Sequence, residues 1–251
     1  KNFMKHKQLY PKKMNAINSQ TEAYLKEPDR LKHHTKELLS IIADNIDPKS
    51  FGEGLDIGCA SGSLIRNLSP MLPSYNFTGF DISKDLIEHA NKHKEDKSSN
   101  FFVGDFNSID FDKKFNLICA SGVLSIFQEF EPPLKKWLSW LSNDGLMFIF
   151  GRFNSRNVDT KILFRNNTQS KAEWEGGLSA FSVYTISHFL KQLGYICEFK
   201  KFNLPIEIKE DANNPIRTFT KEIKTGEKLV MDGANIVAEH FFLVIRRDLE
   251  S

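Results

Sequence analysis

The stretch GLDIGCASGSL, Gly54 to Leu64, constrains the fold of this chain more than any other segment. An apolar run passes through Asp56 and Ile57 and opens into a loop of small residues, Gly58 to Gly62, before Leu64 and Ile65 resume. Glycines let a backbone turn tightly and approach another group where a Cβ would clash. The helix that follows such a loop aims free N–H groups and a partial positive charge beyond the strand tip. About 25 residues after Asp56 a second apolar run, FTGFDIS, ends in Asp81. An acid at the tip of a second strand is placed to grip a ribose diol. The plain alternative is a strand–turn–helix with no ligand. The second acid and the segments after it arrive in the order a ligand site requires.

From about residue 30 the chain alternates strands and helices. Residues 31–46 read as an amphipathic helix with Leu31, Leu38, Leu39, Ile42 and Ile46 on one face. Strands are expected at 54–57, 76–80, 101–103, 115–120, 146–150, 195–201 and 237–246, and helices at 62–72, after Ser83, at 132–142 and at 182–193. Ser83 suits a helix N-cap, Pro132 and Pro133 suit a first turn, and Gly194 suits a helix stop. Asn143, Asp144 and Gly145 read as a turn into the fifth strand. Alternating units of this kind give a doubly wound, Rossmann-like α/β sheet.

The whole length, 251 residues, is expected to form one domain, with 1–46 as an N-terminal arm and helix. Hydrophobic residues make up 40%, enough for a full core. The formal charge of +2 comes from interspersed acids and bases, without the Lys/Arg block of a nucleic-acid arm. Cys59, Cys119 and Cys197 lack metal-ligand spacing and read as buried reduced thiols of a cytoplasmic protein. No apolar run reaches the ~18 residues of a membrane span. Lys1 to Lys13 is basic but lacks a signal-peptide core.

A dinucleotide fingerprint needs a third helix-packing glycine, G-x-G-x-x-G, which is missing here. No Gly-Lys-Ser/Thr follows, so a triphosphate P-loop is excluded. Leu55, Asp56, Gly58, Cys59, Ala60 in place of a middle glycine, and Gly62 resemble motif I of the class I S-adenosylmethionine-dependent methyltransferases. The resemblance is specific over about 50–150. It implies a seven-stranded sheet, mostly parallel, with strand seven antiparallel. It implies S-adenosylmethionine as methyl donor and S-adenosylhomocysteine as product. Asp81, with Ile82 beside it, takes the ribose position. Asp105 in FFVGDF takes the position that holds the adenine amino group, and Phe106 lies against the base. Ser121 and Gly122 follow strand four, where donor and acceptor meet.

The loop after strand four, Ala120-Ser121-Gly122-Val123, lacks the Asn/Asp-Pro-Pro-aromatic run that holds a flipped base. Strand four ends in Cys119-Ala120-Ser121 and strand five in Phe150-Gly151-Arg152, without the carboxylates of a metal-dependent enzyme, so no metal is expected. Two insertions, 152–181 and 203–236, are long enough to be lids or binding surfaces, with an oligomer contact as the alternative. Arg152, Trp174 and Arg217 in them are candidate substrate-binding residues. Arg217 to Met231 reads as a β-hairpin turning at Gly226. An antiparallel strand seven brings His240 to the carboxyl edge, a candidate general base, with a locally packed histidine as the alternative. The reading is methyl transfer to a small polar acceptor such as a sugar or acid, on O or N, with the oligomeric state open and a homodimer one option. Methylation of RNA or protein, or non-catalytic binding of the nucleoside, are the other readings.

Overall fold

The computed structural model describes residues 24–25, 31–94, 98–168, 173–176, 179–212 and 216–249. Most of the N-terminal arm, 1–23 and 26–30, lies outside the described residues. In order, the elements that frame the site are α1 (His33–Asn45), β1 (Gly52–Ile57), α2 (Ser63–Met71), β2 (Tyr75–Asp81), α3 (Lys84–Lys92), β3 (Asn100–Val103) and β4 (Phe115–Ser121). They are followed by α4 (Glu131–Trp140), β5 (Leu141–Asn154), the short strands β6 (Leu163–Phe164), β7 (Glu175–Gly176) and β8 (Phe181–Ser182), and α5 (Val183–Gln192). The chain closes with β9 (Tyr195–Phe202), β10 (Phe219–Glu222), β11 (Lys228–Met231) and β12 (His240–Arg247).

The main sheet runs β3-β2-β1-β4-β5-β12-β9, with β8 added beside β5. All pairings from β3 to β5 are parallel, and β12 is antiparallel to both neighbours. The expected mostly parallel sheet with an antiparallel last strand is therefore observed, with β8 as an eighth strand beyond the expected seven. Its central strands are buried on both faces, and they read as near-continuous apolar runs for that reason. One face packs Leu38 and Ile42 of α1, Ile65 and Leu68 of α2, and Ile87 and Ala90 of α3 against Leu117, Phe148 and Phe242. The other packs Leu134 and Trp137 of α4 and Ile186 and Leu190 of α5 against Ile57, Ile118, Ile149 and Leu243. The edge strand β9 instead alternates, with exposed Glu198, Lys200 and Lys201, charges that discourage further strand pairing.

Capping follows the sequence signals. The Ser83 and Ser182 hydroxyls accept from Leu86 N at 3.5 Å and Tyr184 N at 3.1 Å, and Gly194 ends α5 at φ +75°. One expectation is corrected. Asn143, Asp144 and Gly145 are not a turn before the fifth strand; they lie inside β5, which starts at Leu141 directly after α4. The β4–β5 register shifts between Phe115 and Leu117, so this stretch bulges out of the ladder. Asn116 Nδ2 donates to Ser142 Oγ at 3.3 Å, and that hydroxyl donates to Asp144 at 2.9 Å, which holds the bulge. At its other end β5 runs to Asn154, so Arg152 is a strand residue and the first insertion begins after it.

The strand order reverses between β1 and β4, and a crevice opens at the carboxyl ends of the strands at such a point. Register places the tips together: Ile57 beside Phe80 and Ala120, Asp81 beside Val103, and Ser121 beside Phe150. Because β12 runs the other way, its first residue, His240, pairs with Arg152 and Phe202 at that same edge.

Candidate active site

The loop between β1 and α2 is built on three residues with positive φ: Gly58 at +68°, Ala60 at +48° and Gly62 at +77°. A Cβ on Gly58 would stand 2.7 Å from Val123 Cγ2, so this glycine lets the loops after β1 and β4 touch. A Cβ on Gly62 would meet the Phe101 ring at 2.9 Å and Ala90 at 3.1 Å, so that glycine seats α2 against β3 and α3. Ala60 adopts the left-handed conformation with its methyl group in place, which costs an L-residue about 1–2 kcal/mol. The strain is offset by a specific bond: Ala60 N donates to Asp81 Oδ2 at 3.0 Å.

Asp81 is thereby aimed. Its other oxygen accepts from Ser83 N at 2.9 Å, and the carboxylate keeps acceptor capacity beyond the amides that hold it. Burial raises the Asp81 pKa above the usual carboxylate range, while the Ser83, Ala60 and Ile82 amides pull it back. Asp56, behind the loop, is pushed well up by its complete burial and then by the Asp81 charge. Burial, with Asp56 and Asp81 nearby, also keeps the Cys59 thiol protonated, which leaves it inert as a nucleophile.

The rim beyond these groups is apolar and open. Ile82 is 54% and Val103 50% exposed at the tips of β2 and β3. Phe106 is half-buried, edge-on to Phe127 with centroids 4.8 Å apart. Asp105 is exposed, and one of its oxygens accepts from Asn107 N and Nδ2, both at 2.9 Å. Ser121 is half-buried at the end of β4; Gly122 N donates to Phe150 O at 2.7 Å, and a Cβ on Gly122 would meet nothing within 4 Å.

Across the crevice, Arg152 and His240 face each other in register. Arg152 is buried, and its Nη1 donates to Asp232, a fully buried carboxylate just after β11. The His240 ring stacks on Phe150 at 5.7 Å, and the His34 ring of α1 also stacks on Phe150, at 4.5 Å. Burial, with Arg152 nearby, lowers the His240 pKa to about 4; burial, with Lys32 nearby, lowers that of His34 to about 3. Both imidazoles are neutral at pH 7. Glu239 ties the neighbouring strands together, accepting from Lys201 Nζ at 2.7 Å and Ser155 Oγ at 2.6 Å.

The structure thus brings Asp56, Gly58, Cys59, Ala60, Gly62, Asp81, Ile82, Asp105, Phe106 and Ser121 to one half of the carboxyl edge, and Arg152 and His240 to the other. Trp174 is 66% exposed and packs under the Arg165 guanidinium at 5.4 Å. Arg217 is exposed just before β10. Among the described residues no ring contact or ion pair joins either of them to Arg152 or His240. Asp232 and His34 were not anticipated from the sequence; Asp232-Gly233 reads only as a turn pair, and His34 as a helix residue. A groove of about 750 Å³ lined by Lys114, Asp144, Tyr195 and Arg247 opens at the opposite edge, at the start of β5 and β9. It has no part in the crevice where this topology binds ligands.

Residues 55–147 match the family model described as a methyltransferase domain. Over 196 residues the chain is 25% identical to the malonyl-[acyl-carrier protein] O-methyltransferase of Priestia megaterium, covering 78% of this chain and 68% of that one. Over 209 residues it is 23% identical to the juvenile hormone acid O-methyltransferase of Bombyx mori, covering 80% and 67%. The fold also matches a solved DhpI-SAM-HEP complex, with a TM-score of 0.58 and 14% identity over 92% of this chain and 96% of that one. The chain carries a class I S-adenosylmethionine-dependent methyltransferase domain.

The donor half of this methyltransferase fits the cofactor chemically. A carboxylate with spare acceptor positions suits a diol, exposed apolar strand tips suit a purine, and a turned-out loop at a helix start suits close backbone approach. Among the described residues no group of three or more His, Cys, Asp or Glu is placed to hold a metal ion, and no helix is long and apolar enough to cross a membrane.

Proposed function

We propose that this methyltransferase methylates a small polar acceptor, and that the acceptor is a carboxylic acid methylated on oxygen. The observation that carries the reading is the pairing of Arg152 with a histidine of low pKa at the carboxyl edge. Arg152 commits one nitrogen to Asp232 and keeps the rest of a planar fork that matches a carboxylate. A hydroxyl acceptor needs a base with a pKa near the working pH. His240, at about 4, is poorly matched to that task. A carboxylic acid is already ionised at pH 7 and needs only alignment. In this reading His240 is a neutral hydrogen-bonding wall of the acceptor pocket and not a base. The names of the two relatives, one acting on a malonyl group and one on an acid, favour the same acceptor class.

S-adenosylmethionine, when bound, supplies an electrophilic methyl group. The chain's residues do the rest. Asp81 holds the ribose hydroxyls, Asp105 the adenine amino group, and Ile82 and Phe106 lie along the base. Gly58, Cys59, Ala60 and Gly62 form the loop under the donor with Asp56 of β1 behind it, and Ser121 stands where donor and acceptor meet. The insertions after β5 and β9, with Trp174 and Arg217, close over the acceptor and exclude water.

A methyl-transfer screen against free and thioester-linked carboxylic acids, read by mass spectrometry, tests the reading. Methyl esters formed in step with S-adenosylhomocysteine are the expected result. Methylation confined to hydroxyls, amines, RNA or protein would overturn it.

A further inference from the structure

We propose that Asp232 is a positioning residue: it clamps the second insertion onto the carboxyl edge and aims Arg152 at the acceptor. The acceptor part of this proposal rests on the acid reading above; the clamp does not. Asp232 follows β11, and both of its oxygens are used. One accepts from Arg152 Nη1 and the other from Ala234 N at 2.8 Å. Its carbonyl accepts from Asn235 N at 2.8 Å, and Asn235 turns the chain at φ +59°. The segment then folds back, with Met231 bridging Val237 and Ala238 N donating to Val230 O at 2.8 Å, and enters β12 at His240. The carboxylate thus joins the β10–β11 hairpin to a strand residue 80 positions earlier.

The burial of both partners gives the pair its leverage. A buried cation that loses its partner either stays uncompensated or pulls the structure open. Loss of the Asp232 charge therefore releases the hairpin and lets the guanidinium swing. The groups facing His240 are Arg152 from β5, Asp232 from the β11 turn, the Ala238 carbonyl, Phe150, and His34 from α1. Of these, Asp232 supports the imidazolium and Arg152 opposes it.

The test compares wild type, Asp232→Asn and Arg152→Met/Asp232→Asn. Three readouts need no acceptor: S-adenosylhomocysteine affinity by calorimetry, tryptic cleavage in the hairpin at Lys221, Lys224 and Lys228, and the His240 titration by proton NMR. Asp232→Asn should bind S-adenosylhomocysteine within twofold of wild type and be cut in the hairpin at least tenfold faster. Its His240 midpoint should move above the wild-type value, because the released guanidinium no longer opposes the imidazolium and the opened hairpin admits water. The double variant also lacks the clamp but leaves no unpaired buried charge, so it should fold, with its hairpin cut faster than in wild type and more slowly than in Asp232→Asn; wild-type cleavage in it would overturn the clamp. Its methylation of acids found in the screen should still fall at least 100-fold. Unchanged cleavage and an unchanged His240 midpoint in Asp232→Asn would overturn the clamp. Acid methylation retained by the double variant would overturn the aiming role. Where Asp232→Asn does not fold, the double variant alone decides. If no acid is a substrate of wild type yet the hairpin is released as described, the acceptor reading fails and the clamp stands.

Discussion

Substitution of Ala60 by glycine should make this protein more stable. Ala60 sits at φ +48°, in the place where the related loop sequence carries a glycine. Its Cβ costs about 1–2 kcal/mol in the left-handed region. Glycine removes that cost but returns about 0.4–1 kcal/mol through the freedom it gives the unfolded chain. The net gain is about 0.5–1 kcal/mol. For a chain of 150–250 residues each kcal/mol moves the melting temperature about 2–4 °C, so the rise is about 1–4 °C. The Ala60 N to Asp81 bond is made by the backbone and survives the change. Gly62→Ala is the opposing control. It places a Cβ at φ +77° and within 2.9 Å of the Phe101 ring. The backbone cost and an overpacking cost of about 1–3 kcal/mol together make it roughly 2–5 kcal/mol destabilising. Differential scanning calorimetry of the two variants, with and without S-adenosylhomocysteine, reads both effects. A lower melting temperature for Ala60→Gly, or a harmless Gly62→Ala, would refute the strained-loop account.

Asp81→Ala should weaken S-adenosylhomocysteine binding at least tenfold with the fold intact, because charge-assisted hydrogen bonds contribute roughly 1.5–3 kcal/mol each; an unchanged dissociation constant in calorimetry would count against the ribose assignment. Turnover should be insensitive to EDTA, since the tips of β4 and β5 present Ser121 and Arg152 and no carboxylate; loss in EDTA with rescue by Mg²⁺ would show otherwise. Stability should fall as pH drops from about 6.5 toward 4. His240 and His34 are held neutral in the fold, with pKa values of about 4 and 3, so the unfolded chain binds more protons across that window. Melting temperatures of wild type and a His34→Gln/His240→Gln variant between pH 4.5 and 7.5 check this: the variant's curve should be flatter, and parallel curves would contradict it.

The donor half of the edge was legible because its signals are local. Small residues from Gly58 to Gly62, and an acid at the end of the next apolar run, are read without knowing any long-range contact. The hairpin around Gly226 was legible for the same reason, since φ +80° there follows from its turn position. The acceptor half was not. Arg152 looked like a free loop residue because its partner Asp232 lies 80 positions away, and no spacing rule connects them. His34 looked like one more helix residue, yet its place over Phe150 depends on how α1 crosses the sheet. The bulge in β5 hid for a related reason. Asn143-Asp144-Gly145 has turn chemistry, and only the shift of pairing against β4 shows the strand continuing through it.

Calorimetric titration of the purified chain with S-adenosylhomocysteine and, separately, with NAD tests the central claim most directly. A loop of Gly58, Ala60 and Gly62 without the third helix-packing glycine, with Asp81 held toward a ribose, predicts saturable one-site binding of S-adenosylhomocysteine and no heat from NAD. Binding of NAD with no response to S-adenosylhomocysteine or S-adenosylmethionine would contradict it.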